Sequence, residues 1–567
     1  MNEQSWKNFD PRPQFSRDES CRRIEYENWT VNGTLLETPP WDYKTEEEHL
    51  VYTHGFDLPE TLFSGKVRTV LHFGAVDQVC SVYVNGTCAG SHEGGYLPFS
   101  LDITDLCRKE GNELRVEATD TLSEIYPYGK QCRKPHGMWY TPVSGIWQPV
   151  WIEAVPAKNA VKSIRITPDL TGISLTVDSD AADVRVTVRD GQTVPVQFHT
   201  GEKELYIRIQ DPHLWTPEDP HLYGLELETD TDCVKSYFAL RTVSVEKAGQ
   251  YYRFCLNGEP LFLHGVLDQG YFDDGIYLPR TPGDYEEHNR LVRELGFNTI
   301  RKHIKIEPDV FYYYCDRQGI LVMQDMVNSG KYRYMHDTVM PTVLTKRSRD
   351  TGGRHAGGPG AKEEGYRRKL FEELMLETQD LLYNHPCVVG YTVFNEGWGQ
   401  FDSDRLYETA KSHDPTRFYD STSGWFAQEK SDVQSEHVYF RNKRLKADPV
   451  RTARQGSFLL LSECGGYACR IPGHNFAENS GRNYGYGKLC STDELMDKIE
   501  LMYSSMVAQS IPDGLCGCIY TQIADVENEI NGLYTSDRKV LKAGRERMLR
   551  IADSIRELYS RIHTDNQ

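Results

Sequence analysis

Long apolar runs, a surplus of basic charge and an apolar leader are all missing from this chain of 567 residues. No stretch approaches the ~18 to 20 consecutive apolar residues that a membrane-spanning helix needs. The formal net charge of −19 argues against binding modes that neutralise phosphates, so we expect neither nucleic acid nor an anionic membrane as a partner. The N-terminal stretch up to residue 20 has no apolar segment, which predicts that there is no secretory signal.

Paired cysteines and common cofactor motifs are missing as well. The 14 cysteines form no CxxC pair, and this scattering favours reduced, mostly buried thiols and a cytoplasmic location. HExxH, P-loop and GxGxxG patterns are absent, and the glycine-rich stretch 351–365 predicts a mobile loop. We therefore expect no redox or group-transfer cofactor. The sequence leaves Mg²⁺ or Na⁺ open, although no cluster has a ligand spacing that demands either ion.

The first half of the chain reads as two β domains. Short alternating runs such as "KVRTVLHFGAV" and "ELRVEATD" are separated by turn residues between about 48 and 155, which is typical of a β-sandwich. A second, shorter set follows from about 158 to 245, and its length suits an immunoglobulin-like sandwich. We predict a jelly-roll domain over 1–157 and an immunoglobulin-like domain over 158–247.

After residue 260, short apolar runs alternate with amphipathic helical stretches, which indicates a parallel sheet built from βα units. Eight such runs in about 300 residues predict a (β/α)8 barrel over 248–567. The insertion 327–364 interrupts this rhythm. The predicted barrel strands are 261–266, 298–303, 320–325, 388–396, 418–423, 435–440, 458–463 and 517–522.

One of these runs, in "VVGYTVFNEGWGQ", is apolar enough to predict a fully buried strand. It ends on an amide and a carboxylate, Asn395 and Glu396, before the chain turns through two glycines. The carboxyl ends of barrel strands line the active-site face. The seventh run ends on a second carboxylate, Glu463, so two acids should face each other across one mouth. Cleavage of a glycosidic bond needs such a pair, one protonated to assist the leaving oxygen and one ionised to attack the anomeric carbon.

Several stretches resemble glycoside hydrolase family 2. "NHPCVVGYTVFNEGWGQ" is similar to the acid/base region of that family, "LLLSECGGY" to its nucleophile strand and "FNTIRKHIK" to its Asn-x-x-Arg-x-x-His stretch. "VYVNGTCAGSHEGGYLPFSLDIT" and "YTPVSGIWQPVWIE" resemble its sugar-binding jelly-roll. These matches follow the domain order of the family along nearly the whole chain. The resemblance implies a retaining β-glycosidase that acts on a β-linked glycoside or oligosaccharide.

The resemblance also assigns roles. Glu396 would be the general acid/base and Glu463 the nucleophile, with Asn395 on the 2-hydroxyl of the sugar and Arg301 beside the nucleophile. A nearby guanidinium keeps a carboxylate ionised, whereas Glu396 needs a raised proton affinity. Further substrate-binding candidates sit at other strand ends: His303, His437, Tyr439, Asp268, Gln269 and Trp425.

One motif bears on the identity of the sugar. β-Glucuronidases of the family carry an Asn-x-Lys motif that binds the sugar carboxylate, but the matching positions here are Glu529 and Asn531. Because a buried uronate beside Glu529 would be repelled, we expect a neutral sugar. The family resemblance alone puts β-galactoside first, on its frequency in the family, with β-glucoside, β-mannoside or arabinopyranoside behind it. Two alternatives stay open: a β-uronidase with a substitute cation from Lys302, Lys305 or 327–364, and a non-catalytic carbohydrate-binding paralogue. A homo-oligomer is plausible, and the sequence gives no subunit count.

Overall fold

The computed structural model describes residues 12–17, 21–23, 29–36, 40, 48–63, 65–190, 192–199, 204–335, 337, 350, 361–476 and 483–564. Residues 351–360 of the predicted mobile loop and most of the insertion 327–364 lie outside these residues. Residues 361–365, predicted as part of that loop, instead begin the helix Ala361–Leu382. Within the described part of the chain, we find no helix that is both long enough and apolar enough to cross a membrane.

The N-terminal region consists of two antiparallel sheets that share one apolar core. Burial alternates along the strands, as in Asn112–Thr119, because one face of each sheet meets the other sheet. In order across the sheets, the strands are Cys21–Arg23, Val150–Pro156, Val67–Phe73 and Phe99–Asp102 in one, and Thr34–Leu35, Thr30–Val31, His49–Phe56, Asn112–Thr119, Val79–Val84 and Thr87–Glu93 in the other; Gly145–Ile146 pairs with Val76–Asp77.

A second sandwich follows, with its own core. Its strands are Val161–Pro168, Gly172–Ser179 and Leu205–Arg208 in one sheet, and Gln192–His199, Asp183–Asp190, Tyr223–Glu228 and Cys233–Phe238 in the other. A three-stranded sheet of Val243–Ala248, Tyr251–Leu256 and Glu259–Pro260 leads from this sandwich into the barrel.

The barrel is one eight-stranded parallel sheet. Barrel strands 1 to 8 are Leu263–Asp268, Thr299–Lys302, Leu321–Asp325, Val388–Asn395, Phe418–Ser423, Val433–Val438, Phe458–Gly465 and Leu515–Thr521. Ladders join strands 5-4-3-2-1-8-7-6 in that order. The amide of Asp432, directly before strand 6, donates to Tyr419 O of strand 5 at 2.9 Å. The predicted fold class, two sandwiches followed by a (β/α)8 barrel, is confirmed.

The helices of the barrel region cover the outside of this sheet. Their α-helical bounds in the described residues are Gly283–Glu294, Asp309–Gln318, Ala361–Leu382, Ser403–His413, Pro449–Gln455, Thr492–Met502, Ala508–Ser510 and Arg545–Thr564. A π-helical segment, Tyr503–Val507, and a 3-10 turn, Ile511–Asp513, precede strand 8, and further 3-10 turns lie at Glu60–Leu62 and Thr104–Leu106. A short pair of strands, Tyr467–Cys469 and Tyr486–Leu489, lies beyond strand 7.

Barrel strand 4 shows why these apolar runs become strands. All eight of its residues are buried, as expected when helices cover one face and the barrel interior the other. Gly390 leaves room for the ring of Phe418 on strand 5, because a Cβ atom at Gly390 would lie 2.4 Å from that ring. The run therefore buries itself completely and delivers only its polar end to the barrel mouth.

The N-terminal sandwich is docked on the barrel. Tyr96, Tyr128, Tyr140 and Trp147 belong to the same buried cluster as the barrel core. The amide of Tyr128 donates to the carbonyl of Asn328, which follows barrel strand 3, at 3.1 Å. Loop residues of the N-terminal domain consequently lie beside the carboxyl ends of the barrel strands. The domain limits at 157/158 and 247/248 stay predictions.

Candidate active site

The two predicted carboxylates meet at the barrel mouth. An oxygen of Glu396, an oxygen of Glu463 and a ring nitrogen of His437 all lie within 4.8 Å of one another. The side chain of Glu463 is 7% exposed, whereas that of Glu396 is 15% exposed. Glu463 is therefore the more deeply buried of the two acids.

A tight turn carries Glu396 out of barrel strand 4. Glu396 has a φ of +52°, and Gly397 and Gly399 follow with φ of +77° and +67°. Only glycine fits the next position, since a Cβ atom on Gly397 would lie 2.4 Å from the ring of Phe426. The left-handed backbone at a carboxylate is unusual strain for a non-glycine residue and is typical of functional sites.

Arg301, at the end of barrel strand 2, organises the floor of the site. Its guanidinium is fully buried and donates to Glu463 Oε1 at 3.0 Å and to Asp325 Oδ1 at 2.9 Å. Its Nη2 donates to Asn395 Oδ1 and to Ser423 Oγ, both at 2.9 Å. One cation thus links the ends of barrel strands 2, 3, 4, 5 and 7.

These contacts decide the charge of Glu463. Burial alone would raise its pKa, but the positive charges of His437 and Arg301 outweigh burial and lower the pKa to about 2. Tyr439 also donates its hydroxyl to Glu463 Oε2. Glu463 is therefore an ionised carboxylate at neutral pH, as nucleophilic attack requires.

His437 lies between the two acids. Its Nδ1 is 2.7 Å from Glu396 Oε1 and 3.5 Å from Glu463 Oε2. Burial lowers the pKa of His437, but the charge of Glu463 and the hydrogen bond and charge of Glu396 raise it above its ordinary value overall. This imidazole can therefore hold a proton next to Glu396.

Asn395 is oriented by its neighbours. Its Oδ1 accepts from Arg301 Nη2 and, at 2.6 Å, from Ser423 Oγ. Both partners are donors, so the oxygen of the amide points into the protein and its NH₂ group is left for another acceptor. That NH₂ group has no hydrogen-bond partner among the described residues.

His303 is held from the other side. Its Nδ1 lies 2.7 Å from Asp325 Oδ2, so one carboxylate bridges His303 and Arg301. Burial, together with the positive charge of Lys130, lowers the pKa of His303 to about 4. His303 is consequently a neutral imidazole at the barrel mouth.

Three other predicted residues are placed differently. Asp268 is buried beneath the mouth. Its Oδ2 binds Lys302 Nζ and His288 Nε2, and its Oδ1 accepts from the amide of Gly270. Gln269 is buried next to it. Trp425 is half-buried beside His437, with ring centroids 5.5 Å apart, and its indole N–H donates to the backbone at Asp337.

The lysines considered as substitute cations are engaged elsewhere. Lys302 Nζ lies 2.6 Å from Asp268 Oδ2 and 2.8 Å from Glu307 Oε1. Lys305 donates to two backbone carbonyls and to Glu307, and burial lowers its pKa to about 8. Both side chains are fully buried, so neither ammonium group faces the opening.

Glu529 and Asn531 lie at the rim formed by the chain after barrel strand 8. Tyr140 donates its hydroxyl to Glu529 Oε2, and Asn531 Nδ2 donates to Glu529 Oε1 at 2.9 Å. Asn531 in turn accepts from Gln522 Nε2 at 2.8 Å. Among the described residues, no cation forms an ion pair with Glu529.

Sequence reasoning missed the contribution of the N-terminal domain. A Cβ atom on Gly129 would lie 3.2 Å from the carbonyl of Ile304, directly after His303, and Tyr140 N donates to Lys130 O at 3.0 Å. Lys130 thus stands at the mouth, and within the described ranges no carboxylate pairs with it. It lies in a loop of a distant domain, and no periodicity or motif in the sequence connects it with strand ends.

Ser423 and Asp420 on barrel strand 5 were missed for a different reason. Ser423 binds both Arg301 and Asn395, and Asp420 is a fully buried carboxylate whose burial raises its pKa to about 6. The strand was predicted at the right place, but alternation along it puts 420 and 423, three positions apart, on opposite faces. Its serines and threonine gave no sign of which face lines the site.

The cluster of Glu396, His437 and Glu463 also has the spacing to hold a divalent cation. Arg301 and His437 already supply the positive partners of Glu463, at 3.0 and 3.5 Å. The residues therefore fit an acid–base pair better than a metal centre, and the expected lack of a cofactor stays a prediction.

Three family descriptions match the chain in succession. They are "Glycosyl hydrolase 2 galactose-binding domain-like" over residues 20–147, "Glycosyl hydrolases family 2" over 158–241 and "Glycosyl hydrolases family 2, TIM barrel domain" over 249–447. The chain belongs to glycoside hydrolase family 2.

Individual relatives are distant. A β-galactosidase of Thermoanaerobacter pseudethanolicus is 27% identical over 51% of this chain and 41% of that protein. Human β-glucuronidase is 25% identical over 62% of this chain and 56% of that protein. The alignments thus span about half the length of these relatives. The solved structure of a β-D-glucuronidase from Dictyoglomus thermophilum, 19% identical, has a TM-score of 0.73 and covers 96% of this chain and 98% of that one, which shows the shared fold.

Proposed function

We propose that the protein is a retaining exo-β-glycosidase in which Glu463 is the nucleophile and Glu396 the acid/base. The observation that carries the proposal is the pair itself: two carboxylates within 4.8 Å, one held ionised by Arg301 and the other hydrogen-bonded to His437. Carboxyl groups roughly 5–5.5 Å apart are typical of retaining enzymes, because a wider gap would admit the water that inversion needs.

In the first step, an oxygen of Glu463 attacks the anomeric carbon and the bond from that carbon to the aglycone oxygen breaks. The proton of Glu396 passes to the departing oxygen, so an alcohol leaves and a glycosyl ester on Glu463 remains. Arg301 and Tyr439 hold the attacking carboxylate by hydrogen bonds, which fixes its direction of approach.

In the second step, Glu396 is ionised and removes a proton from water, whose oxygen attacks the anomeric carbon and releases Glu463. The free sugar keeps the β configuration. His437, bonded to Glu396 at 2.7 Å, is positioned to stabilise the carboxylate that results from the first step and the proton that returns in the second. The free NH₂ group of Asn395 is the donor we assign to the 2-hydroxyl, a contact that strengthens in the transition state.

The test compares Glu463→Gln and Glu396→Gln with Glu436→Gln, a control glutamate on barrel strand 6. We expect Glu463→Gln to lose at least about a thousandfold in rate on chromogenic β-glycosides. Azide should rescue Glu396→Gln as a β-glycosyl azide, because the small anion replaces activated water. NMR of the first-formed sugar should show the β anomer; an α product, or an active Glu463→Gln enzyme, contradicts the mechanism.

For the sugar, we propose a terminal neutral residue, with β-galactosides first. The proposal is supported by Glu529, which is 4% exposed and has Tyr140 and Asn531 as its partners rather than a cation. A uronate next to that carboxylate would cost several kcal/mol. Turnover of p-nitrophenyl β-galactoside should exceed that of the glucuronide and the galacturonide; faster uronide turnover would overturn the choice.

A second candidate, a β-uronidase, is favoured by one observation. Lys130 is a cation at the mouth, close enough to His303 to lower its pKa, and it has no ion-pair partner among the described residues. If the substrate carries a carboxylate, Lys130→Met should reduce kcat/KM for the uronide at least about tenfold more than for the galactoside. Lys134→Met, an exposed lysine of the same loop, is the matched control.

A further inference from the structure

One cavity lies where the two sandwiches, the barrel and the N-terminal segment meet. Its volume is about 270 Å³, and its lining includes Phe15, Gln148, Trp151, Ile164, Pro308 and Val310. The lining contains neither of the two acids at the barrel mouth nor any residue bonded to them. We call this space the junction cavity.

Hydrogen bonds between the domains hold the walls of the junction cavity in place. Asn384, in the barrel region, donates to the carbonyl of Ile164 at 3.0 Å and accepts from the amide of Ile166 at 2.8 Å, both in the second sandwich. Gln14 of the N-terminal segment donates to the carbonyl of Asn384 at 3.0 Å. The cavity is therefore pre-formed, which lowers the entropy cost of binding a ligand in it.

The side chain of Gln148 brings an unpaired amide into this wall. Gln148 is 5% exposed, and its side chain has no hydrogen-bond partner among the described residues. Gly74, which also lines the cavity, leaves room for it, because a Cβ atom at Gly74 would lie 2.8 Å from Gln148 Oε1. The indole N–H of Trp151 in the same wall is buried and has no partner within the described ranges. Unpaired polar groups in a protein interior are costly, so their position beside an open space indicates a ligand that pairs with them.

The charged residues of the lining already have counter-ions. Four ion pairs account for them, namely Arg12 with Glu153, Lys162 with Asp178, Glu307 with Lys302, and Asp309 with His385. An ionised ligand would therefore enter a mainly apolar space without an unpaired opposite charge to meet it. A neutral ligand is the kind that this lining accommodates.

We propose that the junction cavity is a binding site for a small neutral aromatic carboxamide, separate from the active site and independent of the proposed reaction. The amide of Gln148 offers an acceptor oxygen and an NH₂ donor, and a carboxamide presents the complementary pair, so two hydrogen bonds can form at once. The ring would fill the apolar part of the cavity beside Phe15, Ile164 and Val310, where edge contacts between aromatic groups are favourable. A sugar would leave several hydroxyl groups without partners against these walls.

A saturation-transfer NMR titration of the full chain with benzamide tests the site without reference to turnover. We expect a dissociation constant on the order of 1 mM, as suits a probe of so few atoms. Benzoate has the same ring and a negative charge, and it should bind at least about tenfold more weakly. Acetophenone lacks the N–H donors and should bind at least about threefold more weakly than benzamide, because one of the two hydrogen bonds to Gln148 is lost.

Gln148→Met keeps the length of the side chain and removes its hydrogen bonds, so it should weaken benzamide binding at least about fivefold. Ser163→Trp, at the exposed rim of the cavity, should also weaken binding by obstructing the space, and it tests the site even if the first variant fails to fold. Gln455→Met, on the helix before barrel strand 7, is the matched control and should leave the dissociation constant unchanged. No detectable binding at about 20 mM benzamide, equally tight binding of benzoate, or an unchanged constant in both Gln148→Met and Ser163→Trp overturns the proposal.

Discussion

Replacing Tyr439 by phenylalanine removes one hydroxyl from the carboxylate that we propose as the nucleophile. The Tyr439 hydroxyl donates to Glu463 Oε2 and lies 3.1 Å from Thr521 Oγ1. Phenylalanine keeps the ring that packs on Tyr486, so the change is confined to the hydrogen bond. Arg301 still pairs with Glu463 at 3.0 Å, and we expect the variant to fold.

The magnitude follows from the energy of that bond. A hydrogen bond to a charged group contributes about 1.5–3 kcal/mol, and one pKa unit corresponds to about 1.4 kcal/mol. The bond favours the ionised form, so its loss should raise the pKa of Glu463 from about 2 to about 3–4. Because only the ionised carboxylate attacks, the rate at low pH should fall as this group takes up a proton.

The assay is the pH dependence of kcat/KM, which reports groups of the free enzyme. The acid limb of Tyr439→Phe should lie about 1–2 pH units above that of the wild type, with circular dichroism showing that both remain folded. Tyr407→Phe is the matched control, since Tyr407 donates to Asp432 at 2.8 Å on the outside of the barrel. A slower Tyr439→Phe enzyme with an unmoved acid limb would refute the link between this hydroxyl and the charge of Glu463.

Three further predictions follow from buried polar groups. Asn395→Ala should lose about 10²–10³ in kcat on the parent glycoside but much less on its 2-deoxy analogue; equal losses would disprove the contact with the 2-hydroxyl. Burial lowers the pKa of His385, but the charges of Asp309 and Asp316 raise it to about 10 overall. The protonated imidazole therefore stabilises the folded state fully below about pH 6.5, and this stabilisation disappears as pH rises through about 10. The urea midpoint of His385→Gln should therefore lie well below that of the wild type at pH 7 and approach it at pH 10. Burial raises the pKa of Asp420 to about 6, so stability should fall between about pH 4 and 6 as the proton is lost, and Asp420→Asn should gain more in Tm at pH 7.5 than at pH 4.5.

The strand ends were predictable because they are a local property. Barrel strand 4 was predicted at 388–396 and is Val388–Asn395, and strand 5 was predicted at 418–423 and is Phe418–Ser423. An apolar run that stops at a polar residue marks both the strand and its end. Convergence of those ends then follows from the barrel itself. The pairing of Arg301 with Glu463, 162 positions apart, was accessible only through the family resemblance.

The charge partners of the lysines were not predictable in the same way. Lys302 and Lys305 stand next to His303 in the sequence, which made them candidates for the site. Burial turns both ammonium groups toward Glu307, since a buried charge must be paired, and Glu307 lies only a few residues further along. Lys130 is the opposite case, because it lies at the mouth although it is far from the barrel in the sequence. It belongs to a domain that precedes the barrel by over a hundred residues, and no local pattern marks it.

We propose that different parts of the fold carry the reaction and the choice of sugar, namely the barrel strands and the loops around the barrel mouth. Arg301 and Glu463 lie on barrel strands, and Glu396 directly follows one. Arg301 binds Asp325, Glu463 and Asn395, so a change at this residue disturbs several hydrogen bonds at once. Lys130 and Glu529 instead lie in loops, and neither is bonded to the two acids. A substitution in these loops can alter the charge that meets the substrate while the attacking pair keeps its spacing. We therefore propose that the sign of the charge at the rim, rather than the geometry of the acids, decides between a neutral sugar and a uronate.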